Sequence, residues 1–177
     1  MIQFFCRMVN MGIKHKISPD GLFCIFKIKY KNMEELFYLA KIGEINLKKG
    51  NLKDFEMRLS QNLRSYLPEA KPNIRVRAGR MYVSVKPEFK EKTEEALNKL
   101  IGITGWAEAI PAEKTIEAIT ETARAEAIRV RDAGAKTFKI ESRRGEKTFP
   151  LTSYEISREV GGVIHTEGIL KVDVHNP

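Results

Sequence analysis

The chain has 177 residues, of which 42% are hydrophobic, and a formal net charge of +8, with a pI near 9.5. That length can bury one ordinary core or two small ones, and no apolar run reaches the ~18 residues that a membrane-spanning helix needs. The basic excess favours a polyanionic partner, and the two cysteines, Cys6 and Cys24, suggest neither a disulfide framework nor a metal site and are expected to be free thiols.

Residues 1–34 are weakly patterned and are expected to form an N-terminal extension. Ser18-Pro19-Asp20-Gly21 marks a turn, and Leu22 to Ile28 suits a short strand. Met33 stands just before the first well-patterned element, so an upstream start and a genuine basic arm are both open. The opening Met1 to Cys6 lacks the early positive charge and long apolar segment of a secretory signal, which predicts a cytoplasmic location.

Leu36 to Gly43 is apolar, partly aromatic and stopped by glycine, as a buried strand is. Asn51 is placed to cap a helix carrying Leu52, Phe55, Leu59, Leu63 and Leu67 at helical spacing, and Pro68 ends it. From Asn73 to Val85 polar and apolar residues alternate around a turn at Ala78-Gly79, which predicts a hairpin. Thr93 is expected to cap a second helix with Ala96, Leu97, Leu100 and Ile101 inward and Gly102 at its end, followed by an edge strand over Gly105 to Ile110. Strand, helix, strand, strand, helix, strand is the order of a ferredoxin-like antiparallel sheet with two helices on one face, here over residues 35–110.

A second unit is expected over residues 111–177, with a long helix from Glu113 to Ala133 stopped by Gly134 and a strand over Thr137 to Ser142. Thr152-Ser153-Tyr154-Glu155 reads as a capping box opening a helix with Ile156, Val160 and Ile164 inward. Val172 to Pro177 reads as the start of a strand whose partner does not follow, so this unit is expected to be incomplete. The fold class expected is α+β.

Charge is unevenly spread. Lys71, Arg75, Arg77, Arg80, Lys86, Lys90 and Lys92 face only Glu88 and Glu91 in their stretch, whereas Glu108 to Glu126 is acidic. On a hairpin, Arg75, Arg77, Arg80 and Tyr82 would project together from the sheet face that the helices leave open, a surface suited to phosphates and to stacking a base. Lys139, Arg143, Arg144, Lys147 and Arg158, with Lys136, surround the later strand and helix start, where free backbone amides favour an anion. An ordinary solvated basic face is the competing reading of both sets. Glu44 between Lys41 and Lys48 has no second acid or nucleophile beside it, and His15, His165 and His175 lack ligand spacing, so no catalytic residue, cofactor or metal site is assigned. Trp106 is expected to be a packing residue.

Two stretches carry a family resemblance. Lys41-Ile42-Gly43-Glu44-Ile45-Asn46-Leu47-Lys48, with Asn51 and Phe55-Glu56, and Thr137-Phe138-Lys139 through Lys147-Thr148-Phe149-Pro150-Leu151-Thr152-Ser153-Tyr154-Glu155-Ile156 resemble the N-terminal half of the tRNA 4-thiouridine synthetase (ThiI) family. The closing Val172-Asp173-Val174-His175-Asn176-Pro177 is similar too. The loop departs from the family's Leu-Lys-Gly-x-Asn-Arg, since Gly50 is moved by one and Leu52 stands where arginine is usual.

The resemblance implies a ferredoxin-like domain joined to a THUMP domain, tRNA as the partner, and Lys48 and Lys49 as further RNA-binding candidates. The family's Ser-Gly-Gly-x-Asp-Ser loop, whose amides cradle ATP phosphates, is not among these residues, so its adenylation chemistry would fall to a separate ATP-pyrophosphatase catalytic domain. The expected role is thus to hold the acceptor end of tRNA for sulfur transfer. The alternatives are an N-terminal fragment of an ATP-dependent tRNA sulfurtransferase and a protein-interaction domain with an incidental basic face.

Overall fold

A computed structural model describes residues 35–43, 51–77, 79–144 and 148–174, and the backbone alone of 2–9 and 22–26. The chain divides into two compact units, one of residues 30–108 and one that joins residues 1–29 to 109–177.

The first unit has the expected order: β3 (Leu36–Ile42), α1 (Leu52–Tyr66), β4 (Asn73–Arg77), β5 (Arg80–Val85), α2 (Lys90–Lys99) and β6 (Ile103–Pro111). β3 lies between β5 and β6, and β4 takes the outer edge beside β5. Both β3–β5 and β4–β5 are antiparallel. Strand alternation sends Tyr38, Ala40 and Ile42 of β3 and Met81, Val83 and Val85 of β5 to one face. There they meet Leu59 and Leu63 of α1 with Leu67 at its C-cap, and Ala96 and Leu97 of α2 with Leu100 at its C-cap. Each such leucine contributes about 1.5–3 kcal/mol by leaving water.

Three local details differ from expectation. Asn51 stands at the N-cap of α1, yet its side chain makes no capping bond. Leu52 and Ile101 are exposed rather than packed inward. Thr93 does not cap α2: a 3-10 turn over Pro87–Phe89 runs straight into the helix, which therefore begins at Lys90. That earlier start puts Thr93 in phase with Ala96, Leu97 and Leu100, fully buried, and its hydroxyl has no partner among the described residues. Gly102 has φ +106, and a Cβ there would stand 2.9 Å from the Phe55 ring, so only glycine lets α1 come this close.

In the second unit, α3 (Ile116–Asp132) and α4 (Ser153–Thr166) cover one face of β7 (Thr137–Arg144). Ile119, Ala123, Ala127 and Val130 of α3 pack with Ile156, Val160 and Ile164 of α4 over Phe138 and Ile140. Thr115 caps α3, accepting from the Ala118 N–H at 3.2 Å. The predicted capping box of α4 is present: the Thr152 N–H donates to Glu155 Oε2 (2.7 Å), and the Glu155 N–H donates to Thr152 Oγ1 (3.3 Å). β7 pairs in parallel with β8 (Lys171–Val172). Its other edge pairs along its whole length with β1 (Ile2–Val9), antiparallel from Ile2 opposite Arg144 to Val9 opposite Thr137. β2 (Leu22–Phe26) pairs with β1 and, in parallel, with the end of β6. The sequence pattern suggests only β2 of this pair.

Candidate nucleic-acid interface

Strand register decides which side chains share a face. Arg77 stands opposite Arg80 and Arg80 opposite Lys41, while Arg75 stands opposite Tyr82 and Tyr82 opposite Leu39. Residues paired across strands point the same way. Two rows therefore cross β4, β5 and β3 on the face turned away from α1 and α2: Arg77–Arg80–Lys41 and Arg75–Tyr82–Leu39. Neighbouring strands lie ~4.8 Å apart, so the cationic row spans about 10 Å across the sheet. Arg75, Arg77 and Lys41 are exposed, and Arg80 and Tyr82 are half-buried. All four residues predicted for this face lie on it, and Lys41 joins them.

The face is less open than expected. Phe37 and Leu39 of β3 point away from the helices, yet they are only 7% and 4% exposed, and Ser84 beside Phe37 is buried too. What remains accessible is β4 and the basic row, and the candidate interface narrows to that strip.

Other cations of the same stretch are engaged elsewhere. Lys92 binds Glu69 (2.9 Å), which holds the exposed Glu69 carboxyl below the usual carboxylate range. Lys90 binds Glu108 (3.2 Å) and lies 3.9 Å from Glu94. Glu94 in turn accepts from the hydroxyl of fully buried Tyr38 (3.4 Å). Burial, then the nearby Glu94 and Glu108 carboxylates, push the Tyr38 hydroxyl up. Burial raises the Glu94 carboxyl despite Lys90. The Tyr38 ring meets Trp106 edge-on at 5.7 Å, and the indole N–H donates to Asn98 Oδ1 (3.0 Å), so Trp106 is a packing residue as expected.

The second predicted set is not one cluster. Phe138, Ile140 and Ser142 face α4, with the Ser142 N–H donating to Ser157 Oγ (3.0 Å). Alternation then puts Lys139, Glu141 and Arg143 on the opposite face of β7, away from Arg158 on α4. Lys139 is paired with Glu141 at 2.8 Å, while Arg143 and Arg158 are exposed. The amides at the start of α4 are less available to an anion than expected, because the capping box already occupies those of Thr152 and Glu155. Lys48, Lys49 and Lys147, with Glu44, His15 and His175, lie outside the described residues, as do the side chains of Arg144, Cys6 and Cys24.

The sequence pattern marks Tyr154 only as part of the capping box, but the residue is 74% exposed. The signal was there in the helix phase. Tyr154 precedes the buried Ile156 by two residues, which turns it about 200° away from the core. Among the described residues, no group of three His, Cys, Asp or Glu side chains is placed to hold a metal ion, and no helix is long and apolar enough to cross a membrane.

Helices gathered on one sheet face, with cations ranged across strands on the other, define a two-domain α+β protein with a basic, sheet-borne surface. Comparison with known proteins gives the domains: residues 37–107 match the ThiI ferredoxin-like domain and residues 113–177 match the THUMP domain. It is 52% identical over 142 residues to the "Probable tRNA sulfurtransferase" of Treponema pallidum (strain Nichols), an alignment covering 79% of this chain and 35% of that protein. A protein of the same name from Thermoanaerobacter sp. (strain X514) is 38% identical over 141 residues, covering 78% and 36%. The chain thus spans about a third of the length of these curated relatives.

Two solved structures share the fold. A 4-thiouridine synthetase in an RNA complex with bound ATP aligns with TM-score 0.61 and 22% identity, over 81% of this chain and 36% of that one. PH1313 from Pyrococcus horikoshii Ot3 aligns with TM-score 0.59 and 26% identity, over 80% and 48%.

Proposed function

We propose that this chain binds tRNA and holds its acceptor end for a sulfur-transfer reaction carried out by a separate ATP-pyrophosphatase catalytic domain. The observation that carries the reading is the Arg77–Arg80–Lys41 row with Arg75 and Tyr82 beside it. Phosphates follow one another along a nucleic acid strand, and cations set side by side across a sheet can meet them in series. The relatives named tRNA sulfurtransferase, and the synthetase crystallised with RNA, support tRNA as the ligand.

Contacts of this kind neutralise phosphates and release counterions, so affinity falls as salt rises. Labelled tRNA titrated into the full chain at low and at moderate salt tests the reading. The expected result is a steep loss of affinity at the higher salt. Equal affinity at both would overturn it. Charge reversal at Arg75, Arg77 and Arg80 separates this reading from a protein-interaction domain, since tRNA binding that survives the reversal would mean the basic face is incidental.

A further inference from the structure

We infer that the β1–β2 pair is the built-in occupant of a two-strand slot between β6 and β7, so that the second unit is closed by the start of its own chain. The inference does not depend on the tRNA-binding reading. It concerns residues that lie outside both matched domains, since those matches cover 37–107 and 113–177.

Strand direction and spacing define the slot. β2 is parallel to β6, and β1 is antiparallel to both β2 and β7, so β6 and β7 run the same way. Their order in the sheet, β6-β2-β1-β7, puts three strand intervals between them. At ~4.8 Å for each interval the two stand about 14 Å apart, too far to share a ladder and too wide for one strand to bridge. An antiparallel pair fills that gap, with one member on each border.

Backbone pairing shows what the occupant supplies. On one edge of β7, the short β8 stands opposite Thr137 and Phe138 alone among the described residues. On the other edge every residue from Thr137 to Arg144 stands opposite one of β1. Without β1, the backbone groups along Lys139–Arg144 would lose that ladder, and water or another strand would have to take them. β1 is itself paired on both sides, to β2 and to β7, so it is an inner strand. β2 carries the sheet on to β6, where Cys24, Ile25 and Phe26 pair with Ala109, Ile110 and Pro111. Residues 1–29 thus fall in one compact unit with 109–177, and residues 30–108 are carried as an insertion within it. β7 is also the strand on which α3 and α4 pack through Phe138 and Ile140, so what holds β7 in place holds the floor of their core.

Two measurements on the full chain test this. In the first, Arg7→Cys and Lys139→Cys are combined and the chain is oxidised. These positions are Cα partners across antiparallel strands, and such partners lie about 4.5–5.5 Å apart, within disulfide reach. A bond between positions 7 and 139 of one chain, located by peptide mass spectrometry, is expected. A bond between two chains would mean that another copy fills the slot, and no bond would mean that β1 does not occupy it; either overturns the inference. In the second, hydrogen exchange is followed in wild type and in Phe5→Pro. Every backbone N–H of an inner strand faces a neighbouring strand, so proline in the middle of β1 removes a ladder bond. Exchange over residues 137–144 should become faster by about tenfold or more. Residues 36–42 and 80–85 of the first unit should exchange as in wild type, which shows that the chain still folds. Unchanged exchange over 137–144, or an equal rise in both units, overturns the inference.

Discussion

Replacing Lys41, Arg77 and Arg80 together with glutamine removes the cationic row while keeping unbranched polar side chains and the strand pairing. The consequence follows from counterion release. Each phosphate neutralised contributes roughly −0.7 to the slope of log affinity against log salt on single strands and about −0.9 on duplex. The row places three such charges on one face. If each meets one phosphate, the slope becomes shallower by about 2.1 on single-stranded contacts. Over a fourfold rise in salt, the wild type then loses about 20-fold more affinity than the triple variant. Fluorescence anisotropy with labelled tRNA, at several salt concentrations, measures both slopes. Parallel lines for the two proteins would refute the assignment, since cations that touch no phosphate release no counterions. A melting temperature that matches the wild type excludes loss of fold.

Four further outcomes are expected. Thr93→Val, which keeps the shape and removes a buried hydroxyl without a partner among the described residues, should stabilise the protein by about 1 kcal/mol in urea melts; a loss of stability would mean that the hydroxyl is satisfied. Burial holds the Glu94 carboxyl above its unfolded value, so its contribution to stability is present at low pH and lost as pH rises through the folded pKa. Glu94→Gln should accordingly raise the melting temperature relative to wild type near pH 7, with the gain shrinking toward pH 4, and a gain that grows instead on acidification would show the reverse shift. Gly102→Ala should cost about 1–3 kcal/mol, from positive φ and from the contact with Phe55, and an unchanged melt would show that α1 can retreat. Arg129→Ala strips the bidentate partner from Glu126, which is only 6% exposed, and should cost about 1–3 kcal/mol by denaturant unfolding; a neutral result would place Glu126 in contact with water.

What the sequence disclosed was mostly local. The β4–β5 hairpin shows in a strict alternation around Gly79, and the α4 capping box is complete within four residues, so both are found where the pattern places them. Thr93 misled because a threonine ahead of an apolar run resembles a cap, whereas the turn opened by Pro87 moved the helix start and carried Thr93 into the core. Lys41 could not be assigned to the basic row from sequence, since its place depends on the register between β3 and β5, which are far apart in the chain. Lys139 and Arg158 are close in charge pattern but stand on opposite sides of β7, a separation that only alternation combined with the α4 packing reveals. Burial of Phe37 and Leu39 on the face opposite the helices was likewise invisible, because an apolar strand reads the same whether one face is covered or two.

The turn between Arg77 and Arg80, with Gly79 at φ +73, acts as a phase setter for the whole interface. One extra residue taken up within β5 rather than in the turn would send Arg80 and Tyr82 to the helix side and bring Met81 and Val83 out. Net charge, isoelectric point and almost every residue would stay the same, yet the cations would no longer line up. The candidate interface is therefore encoded in chain length between two strands as much as in the arginines themselves, and chains that keep the basic residues but vary that spacing should not share the arginine row.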